Sequence, residues 1–318
     1  MRMMIGRYIQ LVLIFSIIHA ISFGQGQVTA GIGLGYMQYE GDLGGRSSRL
    51  PDLLTNTTSQ PSQTGSISLS YYPFSFAGIR MQGTLGQVQG ADSLLSRITA
   101  APLLKKTRNL HFKSAIREVS MLIEIHPLLL PYRGGSKKGK VSPYLLAGAG
   151  LFGYNPRALY MDPNGNLSWI DLRPLRTEGQ GMAAYPGIAA YKTIAYNFQA
   201  GAGIRWKISS RIAAGVEILF RKTSTDHLDD VSGQFIDNNA IDDFFGPGTL
   251  LAAQAKQMSN NPAYNNGGSY ITGFEPGNLR GSARVKDYYY TSTLFIHYNF
   301  ARSTSLMNPM RSTSCPTF

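Results

Sequence analysis

Apolar and polar residues alternate with a period of two in eight separate stretches of the chain. The pattern is sharpest at Lys286–Phe300. Tyr288, Tyr290, Ser292, Leu294, Ile296, Tyr298 and Phe300 form one set, and Tyr289, Thr291, Thr293, Phe295, His297 and Asn299 form the other. A period of two describes a strand with two unlike faces. Aromatic residues at both ends of a mostly apolar face suit the two interfaces of a bilayer, with hydrocarbon between them.

The other seven stretches are Gln27–Tyr39, Thr64–Tyr72, Ala77–Val88, Arg117–His126, Ser142–Tyr154, Asn197–Lys207 and Arg211–Arg221. Their apolar faces carry residues such as Ile32 and Leu34, Met81 and Leu85, Val119 and Met121, or Phe198 and Trp206. Each is long enough for a tilted strand to cross a bilayer, which takes about 9–11 residues. An open sheet edge cannot sit in lipid, so the strands must close on themselves. The expected fold is all-β: an eight-stranded antiparallel transmembrane β-barrel of OmpA-like size with long extracellular loops, occupying residues 25–300. Short connections at Tyr72–Phe76 and Ile208–Arg211, with the basic segment Pro127–Val141, belong to the periplasmic side. Long connections at Glu40–Gln63, Gln89–Ile116, Asn155–Tyr196 and Lys222–Lys286 belong outside. Within them, Asp92 predicts a capped helix over 93–98, and Gly248–Met258 is rich in helix formers.

A barrel of this size has room inside only for side chains. The inward set includes Arg80, Glu118, Glu124, Arg205, Lys207, Arg211, Glu217 and Arg221. Charges of both signs in a confined interior should pair, which predicts a plugged barrel and not a diffusion pore.

Composition agrees. Only 15% of residues are charged, while Gly numbers 35 and Tyr 18; soluble domains carry about 25% charge. No run of about 18 apolar residues follows the N-terminal region. Residues 1–24 read as a secretory signal peptide, with Arg2 and Arg7 before the apolar run Ile9–Phe23 and cleavage near Gly24. The net charge of +12 falls to +10 without Arg2 and Arg7. In an exported chain those charges fit lipopolysaccharide phosphates or an acidic protein surface, not nucleic acid. The one cysteine, Cys315, allows no disulfide framework.

Several motifs invite chemistry and lack the context for it. Gly148-Ala-Gly-Leu-Phe-Gly153 matches a dinucleotide fingerprint but lies inside a strand. Gly134–Lys140 approaches a phosphate-binding loop, yet Val141 stands where Ser or Thr must bind magnesium. Asp162-Pro-Asn-Gly-Asn166 lacks the distal ligands of a calcium loop and reads as a turn. The acidic cluster Asp226, Asp229 and Asp230 offers cation ligands; the alternative is loop capping with pairing to Arg173, Arg176 or Arg221. His111, His126, His227 and His297 have no Ser and acid partner set by spacing. The expectation is a protein that is not an enzyme and has no cofactor and no metal.

The segments Ser168–Gly181, Glu217–Ser232 and Arg280-Gly281 resemble the DUF6089 family of PorG-like outer-membrane barrels from the type IX secretion system. The resemblance spans the mature chain and is most specific at Asp226-His-Leu-Asp-Asp230; His227 stands where the family tends to have Tyr. It implies a non-enzymatic part in protein export, docked on the periplasmic ring of the PorK lipoprotein and PorN. The surfaces expected to meet such a ring are the basic turn, with Arg133, Lys137, Lys138 and Lys140, and a periplasmic tail at 301–318, with Arg302 and Arg311. The alternative is a generic OmpA-like small barrel of the cell outer membrane, acting in adhesion or envelope integrity.

Overall fold

The computed structural model describes residues 26–43, 60–94, 105–130, 140–282 and 286–300. The signal segment, most of the basic turn and the tail at 301–318 lie outside the described residues, and with them Arg133, Lys137, Lys138, Arg302, Arg311 and Cys315.

Nine strands form one antiparallel sheet. They are β1 (Gln27–Glu40), β2 (Ser62–Phe74), β3 (Ala77–Ala91), β4 (His111–Ile125), β5 (Val141–Met161), β6 (Leu167–Asp171), β7 (Ile194–Lys207), β8 (Ile212–Thr223) and β9 (Tyr288–Asn299). The ring runs β1-β2-β3-β4-β5-β7-β8-β9 and returns to β1, because β4 pairs β5 and β9 pairs β1. The protein is therefore a closed eight-stranded antiparallel barrel, with β6 attached outside the ring. Closure satisfies every strand edge inside lipid.

The faces follow the alternation. Ile32, Leu34, Ile67, Leu85, Phe198, Leu294 and Ile296 point outward and stay highly exposed, Leu34 at 68%. An apolar band of this kind is what a bilayer covers. Aromatic side chains frame it. Tyr196 with Phe198 and Phe220 with Tyr290 stand at the outer rim. Phe74 with Phe76 and Tyr298 with Phe300 stand at the periplasmic rim. Inside, glycines make room for large neighbours. A Cβ on Gly33 would come within 2.6 Å of the Phe295 ring, and one on Gly31 within 2.8 Å of His297. Among the nucleotide-like glycines, Gly148 allows close backbone approach: a Cβ there would reach the Met121 carbonyl at 2.0 Å.

Two features depart from the sequence reading. Strand β5 continues past the barrel to Met161 and turns back as β6, which pairs Arg157–Met161 with Asp171–Leu167. The turn between them is Asp162–Asn166. The Asp162 carboxylate accepts from the backbone of Asn164 and Asn166 at 2.9 and 2.7 Å, and Gly165 takes φ +83°. This is an Asx turn, as expected of the motif. Second, the outer connection between β8 and β9 folds into a cap whose described residues include α1 (Asn238–Phe245), α2 (Leu250–Ser259) and α3 (Asn261–Asn265). Asp237, Thr249 and Asn260 cap their N-termini with side-chain oxygens. Helix α2 is the one expected over Gly248–Met258. Asp92 opens only a single 3-10 turn, Asp92–Leu94; residues 95–98 are outside the described set.

Candidate functional site

Two buried polar systems lie along the barrel axis, one in the lumen and one in the cap. The lumen system crosses the bore at three heights. Nearest the periplasm, Arg205 on β7 donates to the Tyr72 hydroxyl on β2 at 2.9 Å. Above it, Arg80 on β3 donates to Glu217 on β8 at 2.6 Å. Towards the outside, the Tyr289 hydroxyl on β9 donates to Glu118 on β4 at 2.5 Å. In each case the two strands are opposite members of the ring. The arginine side chains reach across the diameter because each sits at an inward position facing smaller residues, among them Ser66, Ser68 and Ser70.

These crossings are tied sideways. Glu124 pairs with Arg80 and accepts from Arg205 at 2.6 Å, from Tyr72 at 2.7 Å and from a ring nitrogen of His126 at 2.7 Å. Glu118 pairs with Arg221 at 2.9 Å and takes the Asn197 amide at 2.6 Å. The Arg80 guanidinium also lies 5.6 Å from the ring centroids of Tyr144 and Phe295. Arg80, Glu118, Glu124, Arg205, Glu217 and Arg221 are thus brought together. Lys207 and Arg211 are not. Both stand exposed at the periplasmic rim, and Arg211 reaches only the Tyr298 hydroxyl, at 3.5 Å. Inward register near a strand end opens into water at the barrel mouth, so these two line the mouth and stay outside the network.

His126 also contacts the Ser142 hydroxyl at 2.9 Å through its other nitrogen. Ser142, His126 and Glu124 therefore form a hydrogen-bonded chain that no sequence spacing announced. Glu124 is spent on two arginines and a tyrosine, so it has little left to stabilise an imidazolium.

The cap system is built differently. Asp226, Asp229 and Asp230 do not converge on one point. Asp226 takes the Ser232 hydroxyl at 2.8 Å, Asp229 takes the Tyr39 hydroxyl at 2.5 Å, and Asp230 takes Thr177 at 2.5 Å and Tyr191 at 2.6 Å. Among the described residues no group of three or more His, Cys, Asp and Glu is arranged to hold a metal ion. The expected arginine partners are also replaced. Arg221 serves Glu118 in the lumen, and Arg173 donates to the Tyr191 carbonyl at 2.9 Å. The cation of the cap is Arg280, which pairs with Glu178 at 2.9 Å and donates to the carbonyls of Asp230, Met258 and Ser259. Arg108 closes the other side. It holds Asp92 with two parallel bonds, at 2.7 and 2.8 Å, and donates to the carbonyls of Asp42 and Arg280.

Protons supply what cations do not. Burial, reinforced by Asp42, pushes Asp229 up to about 8. Burial also raises Asp226 to about 7 and Asp230 to about 6, the latter against the pull of Arg280. Asp287 lies well above the usual carboxylate range, from burial and the neighbouring charge of Asp229. The Tyr39 hydroxyl contacts both Asp229 and Asp287, at 2.5 and 3.0 Å, and has one proton to give. The second contact requires a proton on a carboxyl group. His227 packs flat on Tyr191 at 4.5 Å, a role a Tyr ring could also fill.

No family model matches the sequence, and no curated protein matches it. Solved outer-membrane barrels do. Neisserial surface protein A overlaps with a TM-score of 0.34 at 8% identity, covering 87% of this chain and 98% of that one. OprG from Pseudomonas aeruginosa gives 0.37 at 9%, covering 88% and 99%. The attachment invasion locus protein Ail of Yersinia pestis gives 0.34 at 9%, covering 86% and 99%. The assignment rests on this chain's own closed ring, apolar exterior and two aromatic rims: it is a β-barrel of the outer membrane.

Proposed function

We propose that the protein is a non-enzymatic surface barrel acting in adhesion or envelope integrity, with the cap as its working part. The observation that supports this is the division of the molecule. The bore is crossed three times by buried polar struts, which leaves no role as a pore. The outer loops meanwhile form a cap with an apolar core of its own, around Tyr160, Leu172, Ile236, Ile241 and Met258. Ordering that many loop residues has an entropic cost that a mere connection would not carry. The test replaces residues 233–279 with a short Gly-Ser turn. The barrel should still insert, while surface attachment or resistance to envelope stress falls. Unchanged attachment and unchanged resistance would refute the reading. Hydrolysis of a chromogenic ester that depended on Ser142 would refute its non-enzymatic part.

A second reading, docking on the periplasmic ring of type IX secretion, follows the family resemblance. Lys140, Lys207 and Arg211 support it, since they place exposed cations on the periplasmic rim. If removing residues 301–318 and neutralising Lys137, Lys138 and Lys140 leaves co-purification with the ring unchanged, that reading fails.

A further inference from the structure

The periplasmic mouth of the barrel contains a cleft of about 330 Å³. Its walls carry Lys140, Arg205, Lys207 and Arg211, and no Asp or Glu lines it among the described residues. Among the described residues only Arg205 of these four has a carboxylate partner, Glu124. Lys140 and Lys207 make no side-chain bond with any described residue. The cleft is thus a concentrated positive field with low-dielectric walls.

A second observation points into the same space. His297 is 2% exposed and lines the cleft, yet neither of its ring nitrogens has a partner among the described residues. At least one of those nitrogens always carries a hydrogen. The buried hydroxyl of Thr29 and the Nε of Arg205 are orphaned in the same way. Buried polar groups left without partners are costly, and these three face the same cationic cleft. Donors outnumber acceptors, and the surplus charge is positive. The ligand must bring several acceptor oxygens and more than one negative charge.

The level of the cleft narrows the choice. Trp206 and Tyr298 point outward from the neighbouring positions of β7 and β9, and their rings belong at a headgroup interface. The cationic mouth therefore stands at the height of the inner leaflet's phosphates. We propose that this cleft is a phosphate-binding site, with Arg205, Lys207 and Arg211 as its charged contacts and His297 and Thr29 as buried donors. The phosphate comes either from a phospholipid headgroup leaning over the rim or from a free phosphate in the periplasm.

The test uses the full chain refolded in a non-ionic detergent, with the His297 ring resonances as reporter. Inorganic phosphate is titrated against chloride at constant ionic strength. A parallel arm compares nanodiscs of phosphatidylglycerol with nanodiscs of a phosphate-free glycolipid. Phosphate or phospholipid should shift the His297 ring, and chloride should not. A shift with inorganic phosphate alone identifies a free phosphate as the source; a shift with phospholipid alone identifies the headgroup. The double variant Lys207→Gln/Arg211→Gln, altered only at exposed rim positions, should bind about tenfold more weakly or worse while keeping the heat-modifiable mobility of a folded barrel. Thr29→Val tests the buried donor without touching charge and should also weaken binding. The proposal is overturned if His297 ignores both phosphate and phospholipid. It is equally overturned if chloride moves the ring as far, or if an acidic peptide binds where phosphate does not.

Discussion

The lumen and the cap both bury carboxylates, and they neutralise them by opposite means. In the lumen Glu118, Glu124 and Glu217 meet Arg80, Arg205 and Arg221, one guanidinium for each carboxylate. In the cap Asp42, Asp92, Glu178, Asp226, Asp229, Asp230 and Asp287 are all buried, and among the described residues the buried cations are Arg108 and Arg280. The remainder are held by hydroxyls, backbone amides and protons. A matched set is indifferent to pH near neutrality; an unmatched one is not. The difference suits their settings. Lumen charges lie inside the lipid-facing ring, whereas cap charges lie beneath the outer loops.

The largest expected effect breaks the matched set. Arg80→Ala leaves Glu124 and Glu217 facing each other with one guanidinium fewer. Removing one partner of a buried pair costs about 3–5 kcal/mol. Urea unfolding in liposomes, followed by the fluorescence of Trp206, should show it. Removing both partners, as in Arg80→Met/Glu217→Met, should recover much of the loss, because an apolar pair carries no stranded charge. If Arg80→Ala costs under 1 kcal/mol, the lumen network is not the strut system described.

Next is the same operation in the cap. Arg280→Ala strands Glu178 and frees three carbonyls that had a charged donor. The cost should be about 3 kcal/mol but local. Protease cleavage within 224–286 should rise sharply while the barrel keeps its folded mobility. A loss of barrel stability equal to that of Arg80→Ala would mean that cap and lumen fold as one unit, and the comparison would fail.

How far the sequence foretold this can be argued from these residues. The strands and the inward positions of Arg80, Glu118 and Glu217 were legible because a period of two survives any loop arrangement. The pairing of Arg80 with Glu217 was not, since it needs the ring order that puts β3 opposite β8. Strand β6 left no trace: Leu167–Asp171 is five residues with no alternating burial. The acidic motif was legible as a cluster and misread as to partners. Arg280 lies 50 residues from Asp230, beyond three helices, while Arg173 is turned to the Tyr191 carbonyl. Local spacing carries no information about contacts that a loop of that length makes.

A third prediction concerns pH. An aspartate with a folded pKa above its open-chain value of about 3.9 keeps its proton in the fold where the open chain has lost it. Its contribution is full below that value and is lost as pH rises towards the folded pKa. Asp230, Asp226 and Asp229, near 6, 7 and 8, spread this loss over the range from about 4 to 8. The cap should resist protease best at pH 5 and least at pH 9. Asp229→Asn keeps an acceptor for Tyr39 and removes the titration near 8. It should be near neutral at pH 5 and stabilising by on the order of 2 kcal/mol at pH 9. Equal protease resistance of wild type and variant at both pH values would contradict the unmatched-charge account.

The smallest effect lies at the boundary between the two regions, on the β5–β6 hairpin. Its surface ion pair, Arg157 with Asp171 at 2.8 Å, is nearly half exposed and should contribute little. Lys113 on β4 is better placed: its ammonium lies 3.6 Å from the centroid of the Trp169 ring. The face of an indole attracts a cation, by about 0.5–1 kcal/mol where water still has access. Lys113→Met keeps the aliphatic stem over the ring and removes the charge, so it isolates the electrostatic part. Trp169 emission, read with Trp206 replaced by Phe, should report greater mobility of the hairpin in Lys113→Met, and barrel unfolding should not move. If Lys113→Met changes nothing and Arg157→Ala loosens the hairpin instead, then β6 is held by its exposed ion pair. Charge on this hairpin would then matter more than the cap's reliance on neutral donors and protons implies.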